Sequence, residues 1–160
     1  MGEFRFTFIA LQKILAKKEY QCKLSFAPED FKDDERPLWN GNSFDIPNSW
    51  SKVDGNTQVM IACNVSNITS DIKAAPTSKI NDGLIHLLYA KGLSRPEMVR
   101  LFLQLEKGEH VGKPGVFSYT TKKFIVEPLT DDTCFDLDGE RFENVPTMFQ
   151  LRHNFASIIM

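Results

Sequence analysis

Apolar residues gather most densely between Asp82 and His110, and within that stretch their spacing changes from continuous to helical. Leu84 to Ala90 is too uniformly apolar to be half-exposed, so it reads as a strand covered on both faces, entered through the turn-forming pair Asp82-Gly83. Beyond Gly92, Ser94 stands three residues before Glu97, the spacing at which a hydroxyl and a carboxylate each satisfy an orphan amide of a first helical turn. Pro96 fits where no amide partner is required. Met98, Leu101, Phe102 and Leu105 then recur at helical spacing, and Gly108 is the expected stop. The helix so predicted has a broad apolar side.

The same reasoning places other elements around this centre. Phe4, Phe8, Leu11 and Leu15 share one helical face, which predicts a helix from about Phe4 to Lys18. Phe6 and Ile9 project away from that stripe, so its first two turns are apolar almost all round and need a second cover. Tyr20 to Phe26 alternates as a strand with one buried face. Ala27 to Asn56, broken by Pro28, Pro37, Pro47, Gly41 and Gly55, reads as a long loop or insertion, partly packed down through Trp39, Phe44, Ile46 and Trp50. Gln58 to Cys63, Val116 to Tyr119, Lys123 to Glu127, Cys134 to Leu137 and Met148 to Arg152 are strand-like, with mixed patterning from Val65 to Ile72. Seven or eight short strands and two main helices in this order predict a β-dominated α+β domain, an antiparallel sandwich or open barrel decorated by helices.

Composition narrows the partners. The 160 residues suffice for one domain with a core, and a net charge of −2 with a pI near 5.9 offers nucleic acid no footprint. Three widely spaced cysteines argue against a disulfide framework, which places the chain in a reducing, cytoplasmic compartment. Asn64-Val65-Ser66 and Asn67-Ile68-Thr69 match the glycosylation acceptor, but such triplets arise often by chance. No apolar run approaches the ~20 residues of a membrane-spanning helix.

Sequence motifs for a metal cluster, a nucleophile elbow or a phosphate-cradling glycine loop are absent, and His86, His110 and His153 are scattered. What remains is one acidic turn, Asp136-Leu137-Asp138-Gly139-Glu140. Three crowded carboxylates invite a divalent metal or a polar ligand, while Asp-Gly is also a good surface hairpin turn on its own account. Both readings stay open from spacing.

Met1-Gly2-Glu3-Phe4-Arg5-Phe6-Thr7, the Tyr20 to Phe26 strand, Ala74-Ala75-Pro76, Asp82 to Leu87, Ser94-Arg95, Leu101-Phe102-Leu103, Glu106-Lys107-Gly108 with His110, Phe124 to Leu129 and Asp138-Gly139-Glu140 together carry a resemblance. In order and spacing they resemble the C-terminal half of sphingosine kinases, within the diacylglycerol-kinase-like lipid kinase superfamily. The resemblance covers nearly the whole chain apart from Ala27 to Asn56. It implies one domain over residues 1–160, a lipid-holding β-sandwich whose partner is an N-terminal nucleotide domain with a Gly-Gly-Asp-Gly-Thr-type motif that this sequence lacks. ATP and Mg2+ are the implied cofactors, a sphingoid base the implied substrate, and a peripheral membrane surface the implied place of work. By the same resemblance Arg5 contacts nucleotide phosphates, and Gly139 and Glu140 belong to a turn returning to the phosphate. Glu140 and Asp138 serve the chemistry there, with Asp138 at the metal. Phe6, Ile68, Ile72, Met98, Leu101, Phe102, Leu105 and His110 match positions lining a lipid tunnel. The catalytic base is expected from the missing half, so the isolated chain is expected to be inactive. Two alternatives stand beside this: a ceramide or diacylglycerol kinase domain, or a lipid-binding module without catalysis.

Overall fold

Each face of one strand, Ile85–Ala90, belongs to a different apolar cluster, and the fold is arranged in layers about it. The computed structural model describes residues 19–31, 36–131 and 135–152. In chain order the strands are β1 (Tyr20–Phe26), β2 (Leu38–Trp39), β3 (Phe44–Asp45), β4 (Ser51–Thr57), β5 (Val59–Cys63) and β6 (Ile85–Ala90). Helix α1 (Arg95–Lys107) follows, then β7 (Val116–Thr121), β8 (Lys123–Pro128), β9 (Phe135–Leu137), β10 (Glu140–Phe142) and β11 (Thr147–Gln150). The expected helix from Phe4 to Lys18, with Arg5 and Phe6, lies outside the described residues, as do Cys134 and His153.

Two antiparallel sheets face each other, one in the order β11-β8-β1-β4 and the other β5-β6-β7. Side chains alternate across a strand, so Ile85, Leu87 and Tyr89 of β6 point into the space between the sheets. There they meet Cys22, Leu24 and Phe26 of β1 and Phe124 and Val126 of β8. Leu88 and Ala90 point the other way, onto α1. The continuous apolar run is thereby explained, since β6 is the middle strand of its sheet and is covered on both sides.

The segment expected as a loop is more ordered than its prolines and glycines indicate. β4 pairs with the whole of β1, from Tyr20 against Thr57 to Phe26 against Ser51. Lys52, Asp54 and Asn56 give it a polar face, and as an edge strand it needs a partner on one side only, so no apolar period announces it. β2 and β3 form a small hairpin, and with it the described strands number eleven rather than seven or eight. The packing of this segment agrees with its apolar content. Trp50, with Phe31, Phe44 and Ile46, covers Ala27 and Ile125 on the outer face of the larger sheet, and Phe31 meets Trp50 edge to face at 5.6 Å. The Glu127 carboxylate accepts the Phe44 N–H at 3.1 Å, fastening the hairpin to β8. Val65 to Ile72, of mixed pattern, forms no regular element.

Candidate functional site

Helix α1 begins where the sequence places it. The Glu97 carboxylate accepts the Ser94 N–H at 2.7 Å and the Ser94 hydroxyl at 2.6 Å, which holds its pKa below the ordinary carboxylate value. Gln58 sets the approach to the helix: it accepts the Leu93 N–H at 2.8 Å and donates to the Leu93 carbonyl at 2.9 Å. A buried amide so fully paired fixes the position of the chain just before Ser94. The helix ends at Gly108, whose φ of 72° is left-handed, with the Glu109 N–H returning to the Gln104 carbonyl.

Around that C-terminal end the residues expected to line a lipid tunnel are largely brought together. Met98, Leu101 and Leu105 are buried at 8%, 2% and 3% exposure against Leu88, Ala90 and Val116, with Ile72 and Phe102 half-buried at the same cluster. The loop carrying Ile72 is tied to the helix, because the Lys73 N–H donates to the Leu105 carbonyl at 2.9 Å. Its own turn is closed by the Ile68 N–H to the Ile72 carbonyl, while the Ile68 side chain lies 42% exposed. His110 is fully buried and its Nε2 lies 3.1 Å from the Ala74 carbonyl, which only accepts, so Nε2 carries the proton. Burial pulls its pKa below the ordinary 6.5 against the raising influence of the Ala74 and Gln104 carbonyls, so the ring is neutral at pH 7.

A cavity among the described residues lies elsewhere, between the two sheets. At about 570 Å³ it runs past Cys22, Met60, Ile85 and Val126, with Phe124 and Phe149 stacked at 4.7 Å along its floor. Burial raises the Cys22 thiol to about 11, so it is an inert apolar group at neutral pH. The α1 residues face the opposite side of β6 and do not line this cavity. Sequence reading missed it; the one trace in the chain is the run of small wall residues, Cys22, Ala62 and Cys63, at strand positions that larger side chains would fill.

At the cavity mouth stands the acidic turn. β9 and β10 form the expected hairpin, with Asp138 at φ 50° and Gly139 at φ 89° at its tip. Register places Phe135 opposite Phe142 and Asp136 opposite Arg141. Phe135, Leu137 and Phe142 line the cavity together with Asp136 and Asp138, while Glu140 is exposed beside them. Among the described residues no group of three or more histidine, cysteine or carboxylate side chains is placed to hold a metal, so a cation at Asp138 would need ligands from outside them.

A layered β-sandwich with one capped helix and an acidic hairpin at an open end now has a counterpart. The family model for the YegS C-terminal NAD kinase beta sandwich-like domain matches residues 1–160. The chain belongs to this family. Sphingosine kinase 2 of Homo sapiens is 32% identical over 117 residues, covering 71% of this chain and 18% of the relative. Sphingosine kinase 1 of Mus musculus is 28% identical over 175 residues, covering 99% of this chain and 46% of the relative. This YegS C-terminal-type domain therefore spans less than half the length of these curated relatives. Among solved structures, a diacylglycerol kinase from Bacillus anthracis str. Sterne shares the fold with a TM-score of 0.51 at 11% identity, over 92% of this chain and 45% of that one. A putative diacylglycerol kinase of the same source reaches 0.53 at 14% identity, over 89% of this chain and 41% of that one. The curated relatives that align with this YegS C-terminal-type domain are sphingosine kinases.

Proposed function

We propose that this chain is the lipid-binding half of an ATP-dependent sphingosine kinase, which transfers the γ-phosphoryl group to the primary hydroxyl of a sphingoid base. The observation that carries the proposal is the match of sphingosine kinases from Mus musculus and Homo sapiens along 99% and 97% of this chain. Phosphoryl transfer depends mainly on positioning and on neutralising charge, so one half supplies lipid placement and another the nucleotide.

In this reading ATP and Mg2+ arrive with an N-terminal nucleotide domain, which Asp138, Gly139 and Glu140 would meet, with Arg5 of the residues outside those described serving the phosphates as the resemblance implies. An arginine suits phosphate because its guanidinium is permanently charged and forks onto two oxygens. Asp138 and Glu140 would complete a Mg2+ site only with ligands from the nucleotide domain. Ile68, Ile72 and Phe102, backed by Met98, Leu101, Leu105 and His110, form the proposed tunnel wall beside α1; Phe6, outside the described residues, is assigned to the tunnel by the resemblance alone. The enzyme works at a membrane surface on the cytoplasmic side, touching it peripherally; no helix among the described residues is long and apolar enough to cross a bilayer.

A chimera tests this directly. This chain replaces the matched segment of human sphingosine kinase 2, and ATP-dependent phosphorylation of sphingosine, ceramide and diacylglycerol is measured alongside folding by circular dichroism. Sphingosine is the expected substrate, and the isolated chain should be inactive. A folded chimera that phosphorylates only diacylglycerol or ceramide, or turnover by the isolated chain, defeats the proposal.

A further inference from the structure

Residues 27–56 lie outside the family resemblance, and the β2–β3 hairpin within them displays two large apolar side chains in solvent. Leu38 is 67% exposed and Trp39 52%, at successive strand positions whose side chains take opposite faces of the ribbon. We propose that this hairpin is a membrane anchor, which enters the interface of a zwitterionic phospholipid bilayer with Leu38 and Trp39; this rests on the peripheral contact proposed above and names the surface that makes it. The hairpin is held rigidly. Phe44, the cross-strand partner of Trp39, packs against the Trp50 cluster, and the buried Glu127 carboxylate accepts its N–H at 3.1 Å. Trp39 rests on Phe44 with ring centroids 5.0 Å apart. An indole supported in this way is already placed for contact, so little ordering cost remains to be met on binding.

The turn also satisfies its own polar groups. The Asn40 side-chain oxygen accepts the N–H groups of Asn42 and Ser43 at 3.1 and 3.0 Å, and the Asn40 N–H donates to the Ser43 carbonyl at 3.1 Å. Its side-chain amide donates to the Asp45 carboxylate at 3.2 Å. Backbone groups that already have partners lose less on leaving water, where unpaired ones are costly. Charge selects the lipid. From Leu38 to Phe44 no residue is charged, and the next residue, Asp45, is the cross-strand partner of Leu38 and shares its face. A neutral tip with a carboxylate at its base gains nothing from anionic headgroups, whereas an indole, apolar with one N–H donor, suits the interface of zwitterionic ones. A flat protein surface covers one face of a ribbon. Immersion covers both, which matches Leu38 on one face and Trp39 on the other.

The test uses the 160-residue chain with three kinds of vesicle: phosphatidylcholine, phosphatidylcholine mixed with phosphatidylserine, and phosphatidylcholine brominated along its acyl chains. The chain has two tryptophans and Trp50 is buried, so the lipid-dependent part of the emission belongs to Trp39. Emission should shift to the blue on phosphatidylcholine and be quenched by the brominated lipid, with no gain in binding from phosphatidylserine. Trp39→Ser should remove both signals and lower vesicle cosedimentation about tenfold, the size expected for one large apolar group returned to water. Leu38→Ser, on the face away from Phe44, should lower cosedimentation several-fold at unchanged Tm, which separates contact from folding. Vesicle binding that both variants retain in full overturns the anchor and leaves peripheral contact through another surface standing. A chain that binds no vesicle also overturns it, and sphingosine phosphorylation by the chimera then decides the lipid-kinase reading separately. Binding that appears only with phosphatidylserine overturns the zwitterionic assignment. A dimer in sedimentation equilibrium that Trp39→Ser dissolves makes a second copy the occupant and overturns the membrane.

Discussion

His110 donates its Nε2–H to the carbonyl of Ala74 at 3.1 Å, in a site with no solvent exposure at the point where the 65–76 loop meets the end of α1. The bond joins two segments 36 residues apart; a charged ring could make it too, and it is burial that disfavours the charge. Because burial holds the folded-state pKa below 6.5, the unfolded chain binds the proton first as pH falls. Stability from this residue is therefore whole above about pH 6.5 and declines as pH drops through that value toward the lower folded one. Urea melts at pH 8, 6.5 and 5.5 should show this decline, and His110→Gln, which cannot titrate, should flatten it. Equal slopes in both chains would remove His110 as its source.

Leu105 and Phe102 lie on the same helix but should respond differently to truncation. Leu105 is 3% exposed among Leu88, Leu101 and Val116, so Leu105→Ala carries the full large-to-small cost of about 2–5 kcal/mol. Phe102 stands half-exposed at the cluster's edge, and Phe102→Ala should cost visibly less while lowering sphingosine affinity. Thermal melts and lipid titration on both variants decide it; equal destabilisation with unchanged affinity would make Phe102 an ordinary core residue.

The same corner predicts a backbone effect at Gly108. Its φ of 72° disfavours any L side chain, and a Cβ there would meet Lys73 Cδ and Pro76 Cβ, each at 3.1 Å. Gly108→Ala should lower stability by about 1–2 kcal/mol, the usual cost of a left-handed residue with a side chain. Denaturant midpoints compared with those of Gly112→Ala, which also has positive φ but open space around it, separate strain from contact.

Glu140 is exposed at the acidic hairpin and makes no wall of the cavity. If the proposed sphingosine kinase reading holds, Glu140→Gln in a full-length protein should lower kcat at least tenfold and change KM for sphingosine little, because the proposal puts Glu140 on the phosphoryl side and away from the tunnel beside α1. Steady-state kinetics at saturating ATP provide the measurement, and unchanged kcat would return the hairpin to a plain surface turn.

A last prediction concerns the fastening of the β2–β3 hairpin. Glu127 is 8% exposed and its carboxylate accepts the Phe44 N–H. Glu127→Ala leaves that amide without its acceptor and should cost about 1–3 kcal/mol. Hydrogen exchange should show faster exchange confined to the Leu38–Asp45 region; uniform acceleration across β8 would mean that the carboxylate supports the sheet itself.

The parts of this fold that were legible in the chain are those whose causes are local. The Ser94–Glu97 pair and Gly108 bounded α1, and the run from Ile85 to Ala90 announced a strand with two covered faces. Asp138-Gly139 turned where turn chemistry required it. Each depends on residues within a few positions of one another, where periodicity and φ preference act directly. The family resemblance, too, was carried by short motifs in order.

What the chain alone could not decide were relations between distant segments. β4 exists because Ser51–Thr57 finds β1 along its whole length, although Gly55 and three polar residues deny it a strand-like pattern. The placement of α1 against one side of β6 and of a 570 Å³ cavity on the other depends on which strands pair and how far their sheets stand apart. Pattern shows that a side chain prefers burial. Only the packed structure decides whether its neighbour there is another side chain or an empty space, because that depends on how side chains from separate strands add up across the gap.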